Sequence, residues 1–155
     1  MFVVRDHPES SPAPAERFTG QVFVDELVIA SPPSRLRAFS VHFTPGARSA
    51  WHSHPYGQIL HVLEGVGRVQ AEGGPPREIR PGDTVLTLPG EYHWHGAAPG
   101  HFMTHIAMQE ADDDHIDAYW REHVDDATYS APAESTSATR RPARADTIAP
   151  ARPRR

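Results

Sequence analysis

Short apolar runs, each cut off by a proline or glycine turn, are the feature that most limits what this chain can fold into. The cuts fall at Ser31-Pro32-Pro33, Thr44-Pro45-Gly46, Glu72-Gly73-Gly74-Pro75-Pro76, Pro81-Gly82-Asp83, Leu88-Pro89-Gly90 and Pro99-Gly100. Proline presets φ for a turn and glycine admits the positive φ that tight reversals need. The segments between them predict strands at Thr19–Ile29, Arg35–Phe43, Ser49–His54, Gln58–Glu64, Gly67–Ala71, Glu78–Arg80, Thr84–Leu88, Tyr92–Ala97 and Phe102–Gln109. Many short strands at such spacing predict an all-β fold, a barrel or double-sheet jelly roll. One short C-terminal helix is expected, because Ile116, Tyr119, Trp120, His123 and Val124 form a single helical stripe behind Asp112, Asp113 and Asp114.

The ends read differently from this body. Residues 1–16 hold Pro8, Pro12 and Pro14 among Ser, Glu and Ala and predict a flexible arm. Residues 131–155 are rich in Arg, Pro and Ala and predict a disordered tail, leaving residues 17–130 as the folded domain. Six arginines against Glu134 and Asp146 make the tail basic, whereas residues 1–130 carry twice as many acids as arginines. An acidic body argues against a nucleic-acid groove. With no long apolar run and no secretory h-region before Phe18, the expectation is a cytoplasmic protein without a membrane partner.

Composition then narrows the chemistry. The chain has no cysteine, which excludes disulfides, thiolate nucleophiles and Cys-ligated metals, and its 15 basic residues are all arginine, which excludes Schiff-base lysines. It has 11 histidines. In a strand, residues two apart share a face. His52 and His54 therefore point the same way, Gln58 continues their parity beyond Pro55-Tyr56-Gly57, His93 and His95 form a second such pair, and His105 lies on a third strand. Pairs converging from neighbouring strands offer imidazole nitrogens to one metal ion. The interleaved Trp51, Tyr56 and Trp94 argue against a solvated polar face. His42, His61 and His101 stand off this parity and read as structural or exposed. Arg48, just before the ligand strand, reads either as an anchor for an anionic substrate or as an outward salt bridge. Alternation in Arg35–Phe43 turns Phe39 and Val41 inward, beside the metal-ligand strand, as walls of a substrate pocket.

The spacing Gly46-x5-His52-x-His54-x3-Gln58-x6-Gly65 resembles the first cupin motif, with Gln where Glu is common. Pro81-Gly82-Asp83 with Pro89-Gly90-Glu91-Tyr92-His93 resembles the second, without the Asn that often follows the final His. The resemblance implies a cupin β-barrel with a divalent transition metal in its mouth, commonly in a homodimer. Strand exchange or sheet extension at Thr19–Ile29 is the expected subunit contact. More narrowly, residues 44–58 and Pro89-Gly90-Glu91-Tyr92-His93-Trp94-His95-Gly96-Ala97-Ala98-Pro99, with Met103-Thr104-His105-Ile106-Ala107-Met108-Gln109, look like bacterial manganese-dependent hydroxynitrile lyases of the cupin type.

That narrower likeness implies Mn(II), with Fe(II) or Zn(II) as alternatives, bound by His52, His54, Gln58 and His93. His105, with His95 in a lesser catalytic part, would act in proton transfer, and His95 and Gln109 would line the pocket of a small-molecule substrate. Neutral ligands would leave the ion its full charge, which favours hydroxyl activation and C–C cleavage over oxygen chemistry. A cupin dioxygenase or isomerase, or a ligand-binding cupin without turnover, is the alternative expectation.

Overall fold

The computed structural model describes residues 9–134 together with Val3 and Arg5. Thirteen strands and one helix make two curled sheets that enclose a barrel. The first sheet runs β1 (Ser11–Pro12), β3 (Val22–Ile29), β4 (Leu36–Phe43), β12 (Met103–Glu110), β7 (Gln58–Gly65) and β10 (Thr84–Thr87). The second runs β13 (Tyr119–Trp120), β6 (His52–Ser53), β11 (His93–Ala97), β5 (Arg48–Ser49) and β2 (Phe18–Thr19). In this second sheet β11 also pairs with β8 (Gly67–Ala71), which pairs with β9 (Arg77–Ile79). Every pairing between these strands is antiparallel. The all-β double-sheet expectation therefore holds.

Period-two alternation decides what faces inward. In β7 the buried set is Gln58, Leu60 and Val62, and in β12 it is Met103, His105, Ala107 and Gln109. These residues join Val22, Val41, Phe43, Val69 and Ile79, so aliphatic side chains fill one end of the barrel and polar ones the other. A second cluster of Trp94, Val124 and Tyr129, with Trp51 against it, glues the C-terminal segment to the second sheet.

Three expectations for the N-terminal third of the chain need correction. The predicted strand Thr19–Ile29 is interrupted: β2 and β3 flank Gly20, whose φ of 79° turns the chain and where a Cβ would sit 2.9 Å from the Cβ of Ala47. Ser49–His54 likewise splits into β5 and β6, because the intervening amides bond elsewhere: Ala50 N–H donates to the Arg17 carbonyl and Trp51 N–H to that of Glu122. The end of the N-terminal arm is not loose, since Ser11 and Pro12 pair with Val24 and Phe23 and Ala13 packs on the core.

The helix is also displaced. Residues 112–124 are not helical; α1 is Asp126–Ser130, capped by the Asp125 carboxylate, which accepts from Thr128 N–H at 2.6 Å. Asp112 accepts from the amides of Asp114 and Ile116 and from the Tyr119 hydroxyl, a local network that competes with helix formation. Backbone bonds complete the diversion, with Trp51 N–H donating to the Glu122 carbonyl and Arg121 N–H to the Trp51 carbonyl. Apart from residues 131–134, the predicted disordered tail lies outside the described residues. Among the described residues no helix is long and apolar enough to cross a membrane.

Candidate metal centre

The pairing of β6 with β11 sets His52 directly opposite His93, with ring centroids 4.4 Å apart. His54 follows just beyond β6, its ring 5.1 Å from His52 and 5.6 Å from His93. Gln58 enters from the other sheet, its Oε1 3.1 Å from Nε2 of His93. One ligand nitrogen each from His52, His93 and His95 lies within 4.8 Å of the others. His95, placed on the sequence as a pocket residue, thus stands in the tightest nitrogen cluster, whereas His54 joins from the side.

Backbone carbonyls orient three of these rings. Nδ1 of His52 donates to the Ala50 carbonyl at 3.0 Å, that of His54 to the Asp117 carbonyl at 2.5 Å, and that of His93 to the Glu91 carbonyl at 3.0 Å. A carbonyl only accepts, so each Nδ1 keeps its hydrogen and each Nε2 is left as a bare lone pair. Nε2 of His54 is buried with no hydrogen-bond partner. Nε2 of His93 faces another acceptor, Oε1 of Gln58. Buried lone pairs that meet no hydrogen, or one another, fit a cation between them.

The rings are held neutral. Burial pushes His52 and His95 well below the usual 6.5, reinforced by the neighbouring imidazoles. Burial also lowers His54, against the opposing pull of Asp117. It takes His93 to about 4 and His105 to about 3. All five can therefore offer lone pairs at neutral pH.

Beside this cluster lies a cavity of about 170 Å³. Its wall contains His52, His54, Gln58, His95, Phe39, Val41, Ala107 and Gln109, so both expected aromatic and aliphatic wall residues reach it. His105 does not line it. It is fully buried behind His95, its Nε2 3.1 Å from Nδ1 of His95, with Phe43 packed against both rings.

Sequence reasoning missed part of the wall. Trp120 stacks on His52 at 4.6 Å, Arg17 lies over Trp120 at 5.3 Å, and Phe18 and Asp117 are also in the lining. Arg17, Phe18 and Asp117 come from loops or a two-residue strand that carries no period, and the helical stripe that took in Trp120 does not form. Of the two roles weighed for Arg48 the structure shows the salt bridge, made to the exposed carboxylate of Asp126, although the guanidinium itself is buried and not outward. Arg48 is buried outside the cavity, donating to the Val124 carbonyl at 3.1 and 2.9 Å and to Asp126 at 2.6 Å, with its guanidinium 4.5 Å over Tyr129. His42 bonds Asp25 and Thr104, His61 bonds Thr84, and His101 is exposed.

This barrel, with histidines from two facing strands and an amide oxygen from the opposite sheet, defines a cupin with a candidate metal site. A cupin-domain family model matches residues 39–106. The chain is 52% identical over 121 residues to an (R)-mandelonitrile lyase of Granulicella tundricola, covering 77% of this chain and 91% of that protein. It belongs to the cupin family. It is also similar to the crystal structure of a cupin-like protein from Thermotoga maritima, with TM-score 0.72 and 36% identity over 83% of this chain and 95% of that one. A shorter match joins it to a dimethylsulfoniopropionate lyase of Ruegeria pomeroyi, 36% identical over 58 residues, 37% of this chain and 29% of that protein.

Neutral burial of these histidines predicts an acid-sensitive fold. Below 6.5 the unfolded chain takes up protons that the folded chain refuses until about 4 at His93 and about 3 at His105. The unfolded state then binds more protons, so stability is lost as pH falls through this window, by about 1.4 kcal/mol per pH unit for each such histidine. Urea unfolding of metal-free protein should show a lower midpoint at about pH 5 than at about pH 7.5. Equal midpoints would mean the rings are not buried in neutral form.

Proposed function

We propose that this cupin is a metal-dependent lyase of hydroxynitrile-lyase type, cleaving or forming a C–C bond at a carbon that bears a hydroxyl. His52, His54, Gln58 and His93 would hold one Mn(II). The resemblance to manganese-dependent hydroxynitrile lyases favours Mn(II), while the imidazole and amide donors themselves would also accept Fe(II) or Zn(II). Such an ion supplies Lewis acidity toward a substrate hydroxyl, undiminished because its ligands are neutral.

The observation that carries this reading is the His95–His105 pair, in which His95 lines the same cavity as His52, His54 and Gln58 and His105 lies buried behind it. The two facing nitrogens, Nδ1 of His95 and Nε2 of His105, share one hydrogen between them, so the pair can take up a proton at a ring nitrogen and pass it inward. The substrate hydroxyl gives its proton to this pair and its O–H electrons become the new C=O bond. The C–C electrons leave with cyanide, which recovers the proton as HCN. Phe39 and Val41 limit the size of the group on the carbinol carbon, and Gln109 supplies a polar edge. The likeness to a protein named (R)-mandelonitrile lyase supports this substrate class, and both named relatives are lyases.

Mn(II)-loaded protein should release benzaldehyde from mandelonitrile. His105→Ala should lose about 10²–10⁴-fold in rate while keeping its metal, the usual contribution of a positioned base. Oxygen uptake on an organic substrate without cyanide release would instead make it an oxygenase, and loss of metal in His105→Ala would make His105 a ligand.

We also propose a homodimer, joined through the outer face of the first sheet. The edge of β3 is partly filled by β1 of the same chain, which leaves less for sheet extension. The register aligns Val28, Ala38, Met108, Ile59 and Leu86 in one apolar row across five strands. Leu86 is 61% exposed and Val28 42%. A two-fold pairing of this row with itself would bury apolar surface that a monomer leaves wet. Light scattering should give a dimer that Leu86→Arg converts to a monomer; an unaffected dimer would place the contact elsewhere.

A further inference from the structure

We propose that Asp117 is a positioning residue: its carboxylate sets the direction of two amides in series, so that Gln58 turns its carbonyl oxygen, and not its NH₂, toward the metal position. This rests on reading the site as a metal centre. Arg37, Gln109 and Gln58 lie side by side across β4, β12 and β7. Asp117 reaches the end of this row from the loop before β13. One carboxylate oxygen is 3.3 Å from Nη1 of Arg37, whose Nη2 donates to the His115 carbonyl at 2.9 Å and ties down the loop.

A carboxylate paired with a guanidinium only accepts hydrogen bonds. Gln109 must therefore turn Nε2 toward Asp117, at 3.3 Å. Its Oε1 is then free to accept from Nε2 of Gln58, also at 3.3 Å. That leaves Oε1 of Gln58 against Nε2 of His93 at 3.1 Å. Shape alone would admit Gln58 either way round, and the reversed amide is a real competitor. Its NH₂ would donate to the lone pair of His93, satisfying both groups and closing the site to a cation. The fixed acceptor at Asp117 selects against that state. The backbone carbonyl of Asp117 also accepts from Nδ1 of His54, so one residue orients donors on both sides of the centre. A glutamate at position 58 would present oxygen in either orientation; the glutamine here is what makes the series necessary.

The test is a double-mutant cycle read as Mn(II) affinity, by competition with a chelator. Asp117→Asn keeps the shape and the backbone carbonyl, and should weaken Mn(II) binding about 10-fold or more, the usual cost of disturbing a group that orients a ligand. Gln109→Leu, which interrupts the series without touching Asp117, should give a comparable loss and stands in if Asp117→Asn does not fold. In a Gln58→Glu background the Asp117→Asn penalty should vanish or reverse. Gln109 would there turn its NH₂ to the new carboxylate and its carbonyl to residue 117, which Asn can meet with a hydrogen and Asp cannot. Equal weakening in both backgrounds would reduce Asp117 to a distant negative charge and overturn the proposal, as would unchanged affinity in the single variants. Absence of Mn(II) binding by the unsubstituted chain would remove the metal centre itself, and this inference with it.

Discussion

The site depends first on where three Nδ1 hydrogens go. Ala50, Glu91 and Asp117 each lend a backbone carbonyl to one ring, and each carbonyl is placed by a turn or strand end that the barrel holds in position. Those contacts fix ring orientation and tautomer together, so the inward nitrogens are lone pairs before any ligand arrives. The pairing of β6 with β11 brings two of the rings side by side, tilted by 49°, and the inward alternation of β7 brings Gln58 across from the opposite sheet. Close approach is also a matter of what is missing. At Gly57, in the turn between His54 and Gln58, a Cβ would lie 2.5 Å from the Thr87 carbonyl, and φ is 81°.

Crowding five neutral imidazoles in a dry interior costs desolvation and forfeits their pairing with water. Part of that cost is met locally: His52 stacks on Trp120, His95 and His105 share a hydrogen bond, and Phe43 packs edge-on or tilted against both. The remainder is left in groups such as Nε2 of His54 and Nδ1 of His105, which find no partner in the protein. A cation bound at the inward lone pairs would recover part of that cost, which is how binding and folding would become linked.

Much of this was legible in the sequence because a strand has a strict period. The i, i+2 histidine pairs, the inward Gln58, Leu60 and Val62, the outward His61, and the inward Phe39 and Val41 all follow from alternation, and the structure places each of them on the side so read. The resemblance to cupins supplied what alternation lacks, namely which strands face each other. The stretch from Asp112 to Val124 was misread because its helical stripe is real in spacing and void in space. Ile116 and Tyr119 are half-exposed, Trp120 stacks on His52, and Val124 is buried against Trp94 and Tyr129. Side-chain bonds from Asp112 and backbone bonds to Trp51 overrode local propensity there. With the segment taken as a helix, Asp117 and Trp120 had no route into the site.

The proposed centre places one cation among the inward nitrogens and the carbonyl oxygen of Gln58. Anomalous diffraction at the manganese edge, from crystals of the Mn(II)-loaded protein, tests it directly. One strong peak per chain is expected, within bonding distance of Nε2 of His52, His54 and His93 and of Oε1 of Gln58. A peak ligated by His95 in place of His54, or no peak within the barrel, would contradict it.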